Sequence, residues 1–303
     1  MKAVWRPLLG VGILAAFIAF VELYFGWAKL LAPWLHVPVG EIAVAAALIL
    51  TSYWLRAVRF YDYFRTEMAE RFTLCVKLML QHNLLNNLLP MRTGELSFPV
   101  LMTRYFSVPA LRSMPALLWF RALDLHTLGI FGVLAIHSAA WPWPLAAVVL
   151  VLWLPLPWLS FHFSRRWQHA LQRQDHNRMY LLLNRVLQGL PQAPAAFWRA
   201  WAWTVLTWLV KLGAFVWVLR LFIPVSLPAA WMGAIAGDLT SVLPVHGVAG
   251  AGTYEAGVVA GLLPYGVAAQ SALTAAVNLH LFLLGTTVVG GAISLFIGGR
   301  RHG

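Results

Sequence analysis

Long apolar runs broken by short basic clusters leave this chain little choice of surroundings. Stretches at roughly 8–31, 41–57, 113–139, 200–221 and 267–298, with another from the Trp141–Pro144 turn to about Phe163, can each cross a bilayer as a helix. A hydrocarbon core of about 30 Å needs only about 17–25 apolar residues. With 61% of residues apolar and 11% charged, too little polar surface remains for a soluble globule. The predicted fold class is therefore an all-α polytopic membrane protein, with residues 1–303 as one integral membrane domain. The N-terminus is basic and then apolar, but no small-residue cleavage site interrupts the run from Leu8 past Phe20, so it reads as a first, uncleaved helix.

The charge pattern supplies orientation. A formal charge of +12 would suit nucleic acid on a soluble protein, but here Lys and Arg cluster beside apolar runs rather than on one polar face. Topology and anionic-lipid contacts explain them, and no nucleic-acid partner is expected. The 163–199 loop, with Arg165, Arg166, Arg173, Arg178, Arg185 and Arg199, belongs in the cytoplasm, as do both termini. Loops 32–40 and 222–230 lack that excess and face outward. Residues 56–71, carrying Arg56, Arg59, Arg65 and Arg71 among aromatics, read as a cytoplasmic interfacial helix. Trp141, Trp143, Trp153, Trp158, Trp198, Trp201, Trp203 and Trp208 fit an interfacial belt. The expected location is the cell inner (cytoplasmic) membrane. Cys75 stands alone, so no internal disulfide can form.

Two stretches break the apolar rhythm. Between His82 and Asp124 the chain places Asn83, Asn86, Asn87, Arg92, Glu95, Arg104, Arg121 and Asp124 among apolar flanks, with a Leu89-Pro90 break followed by Gly94-Glu95. Proline ends one helical arm and glycine permits a tight reversal. Residues 73–110 thus read as a re-entrant helical hairpin, tolerable only where protein or a wet cavity covers its backbone. Trp231 to Leu263, with Gly237-Asp238, Leu243-Pro244 and a glycine series ending in Glu255, reads as a second hairpin. The layout becomes six transmembrane helices plus two re-entrant hairpins, in halves 1–139 and 140–303 that each run helix, helix, hairpin, helix. The halves start on opposite sides, and Leu89-Pro90, Glu95 and Arg121/Asp124 match Leu243-Pro244, Glu255 and Asn278/His280. Such an inverted repeat points to a binding site near the midplane. The last segment, 267–298, is long enough to require a tilt, a kink near Gly290-Gly291 or a projection from the membrane.

Charged groups at bilayer depth are costly unless paired or set in a cavity, so each is a site candidate. Arg92 and Arg104 can clamp a phosphate with two parallel bonds, or else snorkel to the surface. Glu95 can hold a cation, carry a proton or pair with an arginine. Arg121 and Asp124 lie three residues apart and share a helix face, where they can neutralise each other or meet substrate. Asp238, His246, Glu255 and Asn278 complete the candidate set, with capping or structural roles as the plainer readings for Asp238 and His246. Glu22, His126 and His137 read as structural or interfacial. LPVHGVAGAGTYEAG lacks the ending of a P-loop and the spacing of a dinucleotide fingerprint. HExxH, CxxC and GxSxG are absent too, so no catalytic residues, metal or cofactor are expected.

The residues resemble a known family. Asn87-Leu88-Leu89-Pro90-Met91-Arg92-Thr93-Gly94-Glu95 is similar, with a shifted Asn, to N-x-L-P-x-R-x-G-E, the first signature of the flippase-like transmembrane region of lysylphosphatidylglycerol synthases. Its Arg-x-x-Asp resembles Arg121 to Asp124, and its second signature resembles Leu243-Pro244, Gly250, Gly252 and Glu255. Arg56 with Arg59 resembles the basic end of the family's second helix. Phe120 departs from the pattern, which has Glu there, and the reading is of a stand-alone member, without the soluble synthase domain of some relatives. The resemblance implies movement of lipids with anionic or modified head groups between leaflets. Membrane lipids, anionic phospholipids or lipid-linked ones, are thus the expected partners, and an oligomer is compatible with the sequence. Two other readings stay open: an integral-membrane lipid-linked glycosyl or head-group transferase using Glu95 or Asp124 as base, and a scaffold whose buried charges are only structural.

Overall fold

The computed structural model describes residues 5–138, 141–171, 186–187, 189–240 and 248–298, with 5–14, 90–92 and 167–171 described by backbone alone. No strand occurs among the described residues. Five helices, or six if one bent pair is a single span, are long and apolar enough to cross a membrane. The protein is an all-helical, multi-pass membrane protein.

The bent pair lies at the start, where a single helix over 8–31 was expected. Helix α1 (Trp5–Tyr24) ends at a bend of 90°, and α2 (Trp27–Leu31) continues into a 3-10 turn at Ala32–Leu35. The cause is Gly26, whose φ of 77° stops the helix in a conformation that glycine adopts without strain. Glu22 Oε2 accepts from the Trp27 backbone N–H at 3.3 Å, which gives that carboxylate a capping role.

Helix α3 (Val39–Tyr63) overruns the expected end at residue 57 by more than a turn. This corrects the reading of 56–71 as an interfacial helix. Arg56 and Arg59 belong to the spanning helix and are 8% and 2% exposed, and only the single turn α4 (Arg65–Met68) follows. The first helical hairpin pairs α5 (Phe72–Leu88) with α6 (Ser97–Phe106) through a 3-10 turn at Pro90–Leu96. Leu89 turns extended before the proline, as the following ring requires. Gly94 is needed for close approach, because a Cβ there would collide with the Leu85 carbonyl and the Asn86 backbone.

Helix α7 (Ala110–His137) follows, then α8 (Trp143–Trp153) and α9 (Leu156–Leu171), which together supply one span over Trp143–Arg166. His126 and Trp153 tie α7 to this unit through two bonds of 3.0 Å, each ring N–H donating to the other's carbonyl. The span is apolar and little covered, with Val151 70% and Leu152 67% exposed, as a lipid-facing helix should be. Helices α10 (Pro194–Phe222), α11 (Leu227–Thr240), α12 (Thr253–Leu262) and α13 (Ala269–Phe296) complete the chain. The α11/α12 pair forms the second hairpin, beginning at Leu227 rather than Trp231, and Gly237-Asp238 lies inside an arm. The Leu243-Pro244 break lies outside the described residues.

Packing places these elements around a shared centre. Helix α3 lies against α10, α5 against both α3 and α13, and α11 against both α10 and α7, while α6 rests on α7 and α12 on α13. Small residues allow the close approaches that packing in lipid relies on. A Cβ on Gly261 of α12 would come within 2.5 Å of the Met232 carbonyl oxygen of α11, and one on Gly291 of α13 would meet Leu84 of α5 at 2.7 Å. The Gly290-Gly291 pair therefore seats α5 instead of kinking α13, which stays helical through all 28 residues.

Candidate functional site

Between the two hairpins lies a cavity of about 340 Å³. Its polar wall combines Arg56 of α3, the α5 asparagines Asn83, Asn86 and Asn87, Glu95 of the 3-10 turn, Arg121 and Asp124 of α7, Lys211 of α10, Asp238 of α11, Tyr254 of α12 and His280 of α13. Tyr53, Trp208, Met114, several leucines and the small residues Ala122, Ala249 and Gly250 line the remainder.

Asp124 is the hub of one side. Its Oδ1 accepts from Arg59 Nη1 at 2.7 Å and Trp208 Nε1 at 3.0 Å, and its Oδ2 lies 3.5 Å from Arg121 Nη1. Arg59 also donates to Thr204 Oγ1 at 2.8 Å and sits 4.5 Å from the centre of the Phe120 ring. Phe120, the departure from the family pattern, thus supplies an aromatic face for a buried guanidinium. Trp208 is mid-helix and 5% exposed, so it is a hydrogen-bond donor to the site and not part of an interfacial belt. Arg121 makes its shorter bond elsewhere, Nη2 to Glu95 Oε1 at 2.9 Å. The sequence neighbours Arg121 and Asp124 therefore pair mainly with groups from other elements.

On the opposite side, Lys211 Nζ donates to Asp238 Oδ1 at 2.8 Å, beneath the rings of Trp208 and Phe215. Glu255 is buried and caps its own helix, accepting from the Gly252 N–H at 2.8 Å. Its other oxygen meets His280 Nδ1 at 2.7 Å, and His280 Nε2 donates to the Ala249 carbonyl at 2.9 Å. The glycines of the second signature have a backbone reason: Gly250 and Gly252 have φ of 82° and 81°, which places the cap and aims Glu255 at His280.

Of the residues predicted for the site, Glu95, Arg121, Asp124 and Asp238 line the cavity, and Glu255 stands behind His280. Two others lie elsewhere. Arg104 is exposed with its guanidinium 5.8 Å from the Tyr105 ring centre, the snorkelling alternative. Asn278 is fully buried and clamps the bent N-terminal pair, accepting from Trp34 Nε1 at 2.6 Å and donating to the Leu30 carbonyl at 2.7 Å. His246 and the side chain of Arg92 lie outside the described residues. Lys211 and Arg56 were missed as site residues. The first was legible as a lone cation in mid-span. The second was hidden in a basic cluster that the topology rule explained equally well.

The family described as the lysylphosphatidylglycerol synthase TM region matches residues 8–291. The chain belongs to this family. Its resemblance to that transmembrane region, read from the Pro90–Glu95 turn and from Arg121 to Asp124, therefore covers most of the chain. No curated protein matches it. Membership relates this membrane protein to the modification or flipping of lipids.

Proposed function

We propose that the protein is a lipid translocase that moves an anionic or head-group-modified phospholipid, lipid-linked forms included, between leaflets of the cell inner membrane. The observation that carries this reading is a charged cavity of about 340 Å³ set between two helical hairpins inside an otherwise apolar helical body. A head group can enter such a cavity while its acyl chains stay among the exposed apolar faces. The six-span reading counts α1 and α2 as one bent span, treats both hairpins as re-entrant, and puts both termini in the cytoplasm. Symmetric packing supports the inverted repeat. Each hairpin's long arm, α5 or α11, lies against the last helix of the other half, and each short arm against the last helix of its own half.

The transferase alternative needs a free base. Glu95, Asp124 and Asp238 are each engaged by a cation, which favours binding over proton abstraction. The test is a leaflet-specific assay in proteoliposomes with labelled phosphatidylglycerol, with and without candidate head-group donors, for the parent and for Glu95→Gln. Movement by the parent, reduced several-fold in a folded Glu95→Gln protein, is the expected result. A new lipid product formed only with a donor would favour the transferase, and equal movement in protein-free liposomes would reject the translocase.

A further inference from the structure

A carboxylate ties each hairpin to the long helix that follows it. Glu95 meets Arg121 of α7 at 2.9 Å, and Glu255 meets His280 of α13 at 2.7 Å. The two ties differ in kind, because an arginine keeps its proton in any protein whereas an imidazole is the side chain that gains and loses one near neutral pH. The other cations paired in this centre are Arg59 and Lys211. Among the described residues, an imidazole answers a carboxylate only here.

Each polar atom of the pair has a partner. Glu255 Oε2 accepts from the Gly252 N–H at 2.8 Å, and His280 Nε2 faces the Ala249 carbonyl at 2.9 Å. A carbonyl can only accept, so Nε2 carries a proton, and the contact of 2.7 Å between Nδ1 and Glu255 Oε1 holds one more. With that bridging proton the pair is neutral. Without it, lone pairs on both atoms and a net negative charge are confined where Glu255 and His280 are 3% and 4% exposed, and the contact must open. Opening it frees the Val248–Gly250 turn and the start of α12 from α13. His280 is mid-helix and lines the cavity, so water in the cavity can reach it.

The groups around the pair do not replace this proton. Tyr254 of α12 stacks on the His280 ring at 4.6 Å, Asp238 of α11 holds Lys211 of α10, and Tyr53 of α3 bonds to Thr287. Arg56, also of α3, bonds to Asn83, and Glu95 bonds to Arg121. Helix α5 turns His82 to Ser97 and Lys77 to the far end of α13. The described side chains of α1 and α2 bring only Glu22, Tyr24 and Lys29, all exposed.

We propose that the Glu255–His280 pair is a proton-binding latch that couples movement through this cavity to a proton gradient. The pair takes one proton from water when the cavity opens to one side and returns it to water when the cavity opens to the other. The bound proton favours the arrangement in which the second hairpin is tied to α13, and its loss favours the released one, so the proton biases a two-state element. Carboxylate and histidine relays of this kind drive pumps and transporters. The coupling step deepens the translocase reading and rests on it.

The experiment uses the full-length protein in proteoliposomes with labelled phosphatidylglycerol and a clamped membrane potential. A gradient of about 2 pH units is imposed in either direction. For one proton per lipid the parent should shift the ratio of label between leaflets by up to about a hundredfold, in the opposite sense when the gradient is reversed. Glu255→Gln keeps the geometry without the mobile proton, since its amide accepts from the Gly252 N–H and donates to His280 Nδ1. It should melt close to the parent and lose the gradient response. His280→Gln, which keeps a donor for Glu255, should lose it too. The nitrogen NMR resonances of the parent's histidine rings, with His280 assigned by its absence from His280→Gln, are followed from about pH 5 to about pH 9 and should show that ring changing protonation. Lipid movement that ignores the gradient, or a folded variant that still follows it, overturns the proposal and leaves the translocase reading standing. A parent that moves no label overturns the translocase reading instead. The resonances then decide: a ring that titrates keeps the proton site, and a ring with one protonation state throughout rejects it.

Discussion

Asparagine at position 124 would test the buried charge arrangement most directly. The substitution preserves shape and leaves an oxygen for the Trp208 N–H, but it removes the charge that faces Arg59 at 2.7 Å and Arg121 at 3.5 Å. Arg59 is 2% exposed and cannot turn to water. At an effective dielectric of about 20, the closer pair alone has a gross attraction of about 6 kcal/mol. Breaking a buried pair from one side costs about 3–5 kcal/mol net. At about 2–4 °C per kcal/mol for a chain of this size class, Asp124→Asn should melt about 6–20 °C below the parent. The chain carries a convenient reporter in Cys75, its sole cysteine and fully buried on α5, so a thiol-reactive fluorogenic dye follows unfolding in detergent. Adding Arg59→Gln removes the stranded cation, and the double variant should recover at least half of the loss. A shift of less than about 2 °C, or a double variant less stable than the single, would refute the claim that a charge pair holds α3 to α7 here.

Two further expectations concern packing and orientation. Gly261→Ala should cost about 1–3 kcal/mol by overpacking α12 against the Met232 carbonyl, whereas Gly213→Ala, with open space around it, should be neutral or stabilising; the same melting assay decides, and equal behaviour would contradict close contact between the hairpin arms. Cysteine placed at Ser226, in the loop between α10 and α11, should react with an impermeant thiol reagent added from outside, and reaction only from the cytoplasmic side would invert the proposed topology.

The sequence by itself determined the helical membrane class, the approximate spans and the two hairpin positions. These signals are local. A run of apolar residues, a Leu-Pro step or a glycine within four residues of Glu95 acts on its own stretch of chain whatever lies beyond. The same logic erred where two local explanations coincided. Arg56 and Arg59 at the end of an apolar run look the same whether they meet lipid head groups or turn into a cavity. Gly26 bends a segment whose composition reads as one span, and Asn278 has the polarity of a site residue but serves a clamp on Trp34. Only the tertiary structure decided the pairings that make the centre: Arg59 with Asp124, Glu95 with Arg121, Lys211 with Asp238, and Glu255 with His280. Each joins residues 25 or more positions apart, from different elements. Coulombic attraction over a few ångströms depends on which helix faces meet, and that is settled by the close packing of the hairpins against α7 and α13 rather than by any spacing along the chain.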